Sequence, residues 1–269
     1  MSIGYICNRN PNQMIQLSVV IITLNEEKNI RRCIESIVRV ADEIVIVDAG
    51  STDNTRRIAE SFENVKFLEH PFKHFGSQKM VAVENAGYPH ILSIDADEVL
   101  SVELQNAILK IKDNWEADAY KLLRITRFYG KWLRHYNWHP ELILRLFDRR
   151  KGNWNNAPVH EKIEMQPDTV IGIPEGYLLH YSYTVEGRTR DYAKIKARKL
   201  FDEGKTVSKW RILFAPPARF LKVLIFKRGF LNGFYGLAWS VISAHDCFLT
   251  YFYLWTLHRG DEQEPRSVS

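Results

Sequence analysis

The sequence predicts an α/β fold: a mostly parallel sheet flanked by helices, followed by a helical, amphipathic C-terminal extension. Three observations carry that prediction. Apolar, β-branched runs alternate with helical periodicity over residues 17–100. The runs are continuous rather than alternating, as in strands buried on both faces of a parallel sheet. From Glu186 onward the pattern is helical, first basic and then apolar and aromatic.

The elements follow in order. Residues 17–22, LSVVII, read as a buried parallel strand ending at Thr23-Leu24-Asn25-Glu26. A helix comes next, with Ile30, Cys33, Ile34, Ile37 and Val38 at helical spacing. Asn25 is a candidate cap, and Glu26 and Glu27 suit the positive helix end. A second strand, EIVIVD over 43–48, ends in Asp48 before Gly50-Ser51-Thr52-Asp53. The chain then enters a second helix, with Asp53 as candidate cap. A short strand (VKFLE), a helix over 77–86 and the strand HILSID complete the alternation, which implies helices on both faces of the sheet. Strands separated by Gly, Pro and Asn turns fill the middle of the chain: DAYKLLRITRFYG, ELILRLFDRR, VHEKIEM and GYLLHYSY.

Composition bounds the function. The 269 residues suffice for one sizeable α/β domain with an appended segment. A net charge of +5 and a pI near 9.0 suit an anionic substrate, an anionic membrane surface or nucleic acid, and charge alone does not choose among them. Cys7, Cys33 and Cys247 are too scattered for a disulfide framework or a structural zinc site. No secretory signal is visible at the start, so the expected compartment is the reducing cytoplasm.

Ligands of open α/β sheets bind at the carboxyl ends of the strands. There HILSID runs into Asp95-Ala96-Asp97-Glu98. Strand alternation would point Asp95 and Asp97 to one side, where they repel unless a cation lies beside them. Oxygen ligands suit Mg²⁺ or Mn²⁺, and such an ion would offset the charge of a leaving diphosphate. Asp48, at the end of its strand, can accept hydrogen bonds from a nucleobase edge. A dehydrogenase is disfavoured because no G-x-G-x-x-G follows the first strand.

In that order and context, VVIITLNEEKNIRRCIESI, IVIVDAGSTDNT and ILSIDADE resemble family 2 of the inverting glycosyltransferases, which have the GT-A fold. ELILRLFDRR, APVHEKI and LLHYSY are similar to the branch containing lipopolysaccharide core β-glucosyltransferases. The resemblance implies a nucleotide-sugar donor, with UDP-hexose the expected one, and a glycan or lipid-linked glycan acceptor. It assigns the nucleoside to the Thr23–Glu26 loop, with Thr23, Asn25 and Glu26, and to Asp48; Gly50, Ser51 and Asp53 are further donor-binding residues. Asp95 would contact the ribose or donor sugar, Lys79 would be a further donor contact, and Asp97 would hold the metal. By its residue type, His180 is a candidate metal ligand.

Inversion needs one carboxylate to take the acceptor's proton. The candidates are Glu161, preferred for its place after a turn-rich stretch, and Glu141 or Asp148. Many family members carry a Glu-Asp pair for this role, and this sequence has none in the expected region. His160 is a further candidate ligand, and Tyr129, Trp132, Tyr136, Trp138 and Trp154 could stack on a sugar.

The implied organisation is an N-terminal extension (1–16), a GT-A domain (17–185) with donor half 17–100 and acceptor half 101–185, a basic and apolar helical segment (186–259) and a flexible tail (260–269). The helical segment is expected to hold the chain peripherally on the inner face of the cytoplasmic membrane. Its uncharged run between Arg228 and His245 falls short of the roughly 20 residues that span a bilayer. No nucleic-acid partner is expected. Alternatives are a polyprenyl-phosphate sugar transferase and a non-enzymatic basic membrane- or nucleic-acid-binding protein. The latter leaves the acidic strand ends without a role.

Overall fold

The structure, a computed structural model, describes residues 14–128, 130–132, 141–157, 161–181 and 185–260, with side chains of the helix that begins at 185 described from Ala193. The described residues form two compact units. One takes in residues up to Thr126 and 141–181, and the other takes in 127–132 and residues from 185 onward. Arg127, Phe128 and residues 130–132 fall in the second unit with the C-terminal helices.

In the first unit, β1 (Leu17–Thr23), β2 (Glu43–Asp48), β3 (Val65–Glu69) and β4 (His90–Asp95) lie in the order β3-β2-β1-β4, all parallel. The helices between them are α1 (Ile30–Ile37), α2 (Thr55–Ala59) and α3 (Phe75–Glu84). Alternation along β1 divides the core in two. Leu17, Val19 and Ile21 pack with Ile30, Cys33, Ile34 and Ile37 of α1, while Val20 packs with Ala82 and Val83 of α3. That two-sided burial is why β1, β2 and β4 read as uninterrupted apolar runs.

Beyond β4 the chain makes a two-residue turn at Ala96-Asp97 and enters β5 (Glu98–Leu100) and α4 (Val102–Asp113). β6 (Ala119–Phe128), the short β7 (Lys131–Trp132) and β8 (Glu141–Asp148) follow. Next come β9 (Gly152–Trp154), β10 (Ile163–Met165), β11 (Ile171–Gly172) and β12 (Leu178–His180). The sheet continues from β4 through β8, β6 and β12 to β5. β8 runs antiparallel to β4, with His90 opposite Asp148 and Leu92 opposite Leu146. This half of the sheet mixes parallel and antiparallel pairs, unlike the parallel β3-β2-β1-β4 half.

The second unit holds α5 (Val185–Asp202), α6 (Lys209–Leu221) and α7 (Phe234–Arg259), with α5 and α6 each packed on α7. Phe128 meets Trp239 of α7 edge-on at 5.3 Å. No described helix is long and apolar enough to cross a membrane.

Candidate functional site

Parallel pairing sets Thr23 beside Asp48, and Ile22 beside Asp95, so the ends of β1, β2 and β4 share one edge. The β1 and β2 loops are bound to each other there. Asn25 takes a φ of 53°, and its Oδ1 accepts from the Thr52 amide at 2.8 Å while its own amide donates to Ser51 Oγ at 2.8 Å. The Glu26 amide donates to Thr55 Oγ1, and the Glu27 amide to Asp53 Oδ2. Asn25 therefore does not cap α1. The helix starts only at Ile30, and neither Glu26 nor Glu27 lies in its first turn. Asp53 divides its oxygens between Glu27 and Thr55, so it shapes the cradle from within. Gly50, at φ 96°, supplies a backbone turn that a side chain would strain.

Asp48 is 2% exposed. Its Oδ2 accepts from the amides of Gly50 and Ser51, and its Oδ1 from Ser51 Oγ at 2.5 Å. A carboxylate offers about four acceptor positions, so one remains for a ligand. Beside it, Thr23 Oγ1 is buried with no hydrogen-bond partner among the described residues. A buried hydroxyl left unpaired is costly unless something else completes it.

At the end of β4, Asp95 and Asp97 do not alternate along one strand, because Asp97 lies in the turn and the two carboxylates take different partners. Asp95 contacts Lys79 Nζ at 3.2 Å and Arg145 Nη2 at 2.9 Å. Burial alone would raise its pKa; the charges of Lys79 and Arg145 outweigh that and hold it well below the usual carboxylate range. Glu98 is fully buried, accepts from the Asp95 amide, and pairs with Arg124 and Arg145. Asp97 Oδ2 lies 3.3 Å from His180 Nε2. β12 makes that meeting, since His180 stands opposite Glu98 of β5 and Thr126 of β6, and its Nδ1 is 3.2 Å from Thr126 Oγ1.

Lys79 is buried, although a lone lysine on a helix reads in sequence as a solvent-facing one. Its α3 starts close against the 155–157 backbone, where a Cβ on Gly76 would sit 2.7 Å from the carbonyl oxygens of Asn155 and Ala157. One turn further on, Lys79 reaches Asp95 and, at 3.3 Å, Glu161 Oε1, with its Nζ 4.4 Å above the Trp154 ring. Trp154 is buried beneath Lys79 and Arg145 and donates to Ser93 Oγ, so it is no sugar-stacking platform. Tyr129, Tyr136, Trp138 and His160 lie outside the described residues.

The candidate bases separate by strand direction. Glu161 stands at the acidic edge through Lys79. Glu141 begins β8 and shares Arg124 with Glu98. Asp148 ends the antiparallel β8 opposite His90, the first residue of β4, and so lies at the sheet's other edge. It is buried against the Arg150 side chain and amide, away from the edge that holds Asp95 and Glu161. Burial alone would raise the Asp148 pKa, but the Arg150 hydrogen bonds outweigh it and lower it. A depressed folded pKa means stabilisation in full above the unfolded value, about 4, lost as pH falls through the folded one. Asp148→Asn is therefore expected to keep wild-type turnover and to lose about 1 kcal/mol of stability at neutral pH. The deficit should shrink in urea titrations toward acid; a constant deficit, or a dead enzyme, would contradict this placement.

Arg145, Arg124 and Glu98 were not singled out in the sequence. The available signal was Arg145 inside the otherwise apolar interior of ELILRLFD; Arg124 shares its strand with Lys121 and Arg127 and does not stand out. Four carboxylates (Asp95, Glu98, Glu141, Glu161) are linked through three cations (Lys79, Arg124, Arg145), and Asp97 pairs with His180. Burial alone would lower the His180 pKa, but the hydrogen bond and charge of Asp97 outweigh it and raise it. Asp97 Oδ2 and His180 Nε2, 3.3 Å apart, fit neighbouring ligands of one ion, which at bonds near 2.1 Å stand about 3.0 Å apart.

Residues 18–167 match the protein family described as Glycosyl transferase family 2. The chain is 33% identical over 252 residues to the lipopolysaccharide core biosynthesis glycosyltransferase LpsC of Rhizobium meliloti (strain 1021), covering 88% of this chain and 90% of that protein. An uncharacterized glycosyltransferase of Rickettsia typhi is 30% identical over 250 residues, covering 88% and 85%. Among solved structures, Staphylococcus aureus TarS 1-349 in complex with UDP-GlcNAc aligns over 91% of this chain and 92% of that one, at 15% identity and a TM-score of 0.47, too distant to inform the site. The chain thus belongs to glycosyl transferase family 2, and within it resembles the lipopolysaccharide core branch.

Proposed function

We propose that this glycosyltransferase moves a hexose from a UDP-sugar to a hydroxyl of a lipopolysaccharide-core or related cell-surface glycan, with inversion and with a divalent metal. The observation that carries the reading is the shared edge where Thr23, Asp48, Asp95 and Asp97 meet. The polyprenyl-phosphate alternative shares this donor site and differs only in acceptor.

In this reading the cradle of Asn25, Glu26, Gly50, Ser51 and Asp53 receives the nucleoside. The free acceptor position of Asp48 takes the N3–H of uracil, and Thr23 Oγ1 gains the partner it lacks. Asp95, held by Lys79 and Arg145, is presented to the ribose or sugar hydroxyls. Asp97 and His180 would hold the metal. No group of three or more metal-ligating side chains occurs among the described residues, and a bound ion would take its remaining ligands from water and the donor's diphosphate. The nitrogen ligand favours Mn²⁺ over Mg²⁺. Once bound, the ion would offset the charge that develops on the leaving diphosphate. Glu161 takes the acceptor's proton as that oxygen bonds to the anomeric carbon. The bond from that carbon to the diphosphate oxygen breaks, and its electron pair departs with UDP. The basic C-terminal unit seats the enzyme on the cytoplasmic face of an anionic membrane, near a lipid-linked acceptor.

Incubation with UDP-hexoses and delipidated core oligosaccharide tests the reading. UDP release that depends on both substrates, with a product of opposite anomeric configuration, is the expected result. Retained configuration would remove the single-displacement scheme. Asp48→Ala is expected to raise the donor KM about 5- to 100-fold, the loss of roughly 1–3 kcal/mol, and to narrow the preference for uridine over guanosine donors. Unchanged discrimination would take Asp48 out of base recognition.

A further inference from the structure

We propose that the segment Trp210–Phe234, which runs from α6 to the start of α7, enters the interface of an anionic phospholipid bilayer as an apolar wedge and does not cross it. This deepens the membrane seat proposed above and is independent of the transfer chemistry.

The apolar surface is concentrated here. α6 contains no buried residue, yet Trp210, Leu213 and Phe214 share one face at helical spacing. The Trp210 and Phe214 rings stack at 5.8 Å. Phe226 is 82% exposed, Phe234 77% and Trp210 70%. Isolated exposed apolar residues are ordinary, but a run of them along one segment marks an interaction surface. The backbone is broken repeatedly over the same stretch. Pro216 and Pro217 lie inside α6, a π turn spans Lys222–Phe226, and Arg228 and Gly233 take positive φ. These breaks turn the chain back so that α6 packs on α7 instead of continuing as one rod. Phe226, Phe230 and Phe234 stand exposed at and after the breaks.

Charge identifies the occupant. Between Glu203 and Asp246 the chain carries seven Lys and Arg and no Asp or Glu. Partial burial, then the positive charges of Arg219 and Lys222, pull the Lys227 pKa below its ordinary value, as expected for crowded cations. The basic helix α5 differs, because three of its described cations have carboxylate partners. Arg198 pairs with Asp202, Lys199 with Glu203 and Lys196 with Asp246. A second copy of the chain on this face would set like cations against each other with no carboxylate in the segment to answer them. Anionic headgroups answer them, and the aromatic side chains suit the depth just below.

The test is co-sedimentation of the full chain with phosphatidylcholine vesicles, with and without phosphatidylglycerol, at low and high salt. Wild type is expected on anionic vesicles, with part of the binding surviving high salt because aromatic insertion is not screened. Phe226→Glu/Phe234→Glu should lower partitioning at least about tenfold at either salt. Lys222→Glu/Lys227→Glu should lose the preference for anionic lipid. The UDP-dependent thermal shift is expected unchanged in both variants, which certifies folding and separates failure here from failure of the transfer reading. Wild type absent from anionic vesicles, full release at high salt, or undiminished binding of the phenylalanine variant would each overturn insertion. So would a wild-type dimer in sedimentation velocity that the phenylalanine variant abolishes while lipid binding persists, since a second copy would then be the occupant.

Discussion

Asp97→Asn is expected to lower transfer by about 10³-fold or more, equivalent to roughly 4 kcal/mol of transition-state stabilisation. The substitution keeps shape and removes the charged ligand, so Mn²⁺-dependent UDP binding should weaken with it. Sequence reasoning suggests a small gain in stability from relieved repulsion with Asp95. The structure removes that argument, because Asp95 is balanced by Lys79 and Arg145 while Asp97 faces His180. The variant should therefore melt at or slightly below the wild-type temperature. Steady-state assays over a Mn²⁺ series check the claim. Wild-type turnover at saturating metal would take the ion away from Asp97.

Glu161→Gln carries the second large effect: a fall in kcat of about 10²–10⁴-fold with donor affinity nearly intact. The amide cannot take a proton, yet it can still accept from Lys79 Nζ, so the neighbouring Lys79–Asp95 contact is kept. Glu141→Gln is the control. It breaks an exposed pair with Arg124, and an exposed ion pair contributes roughly 0–1 kcal/mol, so turnover should stay within a few-fold of wild type. An active Glu161→Gln beside an inactive Glu141→Gln would move the base to Glu141.

What was legible in the sequence depended on how local each feature is. The ends of β1, β2 and β4 could be read because strands buried on both faces announce themselves as apolar runs, and their terminal Asp residues stand out. Strand direction is a tertiary property. Asp148 reads in sequence as an alternative to Glu161, and only the antiparallel pairing of β8 shows that it lies at the other edge. The depth of Lys79 was equally hidden, since it depends on Gly76 letting α3 lie against the 155–157 backbone. His180 reaches Asp97 only because β12 pairs with both β5 and β6. Arg145 appeared as a lone charge in an apolar strand, and its partners come from β4 and β5. In the C-terminal unit the whole basic stretch 188–228 drew attention, whereas salt bridges answer Lys196, Arg198 and Lys199 of α5 and shift the weight to Trp210–Phe234.

The central claim is that the edge formed by Asp48, Asp95 and Asp97 binds a uridine diphosphate through a divalent ion. Titration calorimetry of UDP into the full chain, with Mn²⁺ and with chelator, tests it most directly. The expected result is saturable 1:1 binding with Mn²⁺, lost or weakened at least about tenfold in chelator and in Asp97→Asn. Equal UDP affinity with Mn²⁺ and with chelator, or binding unchanged in Asp97→Asn, would contradict the account.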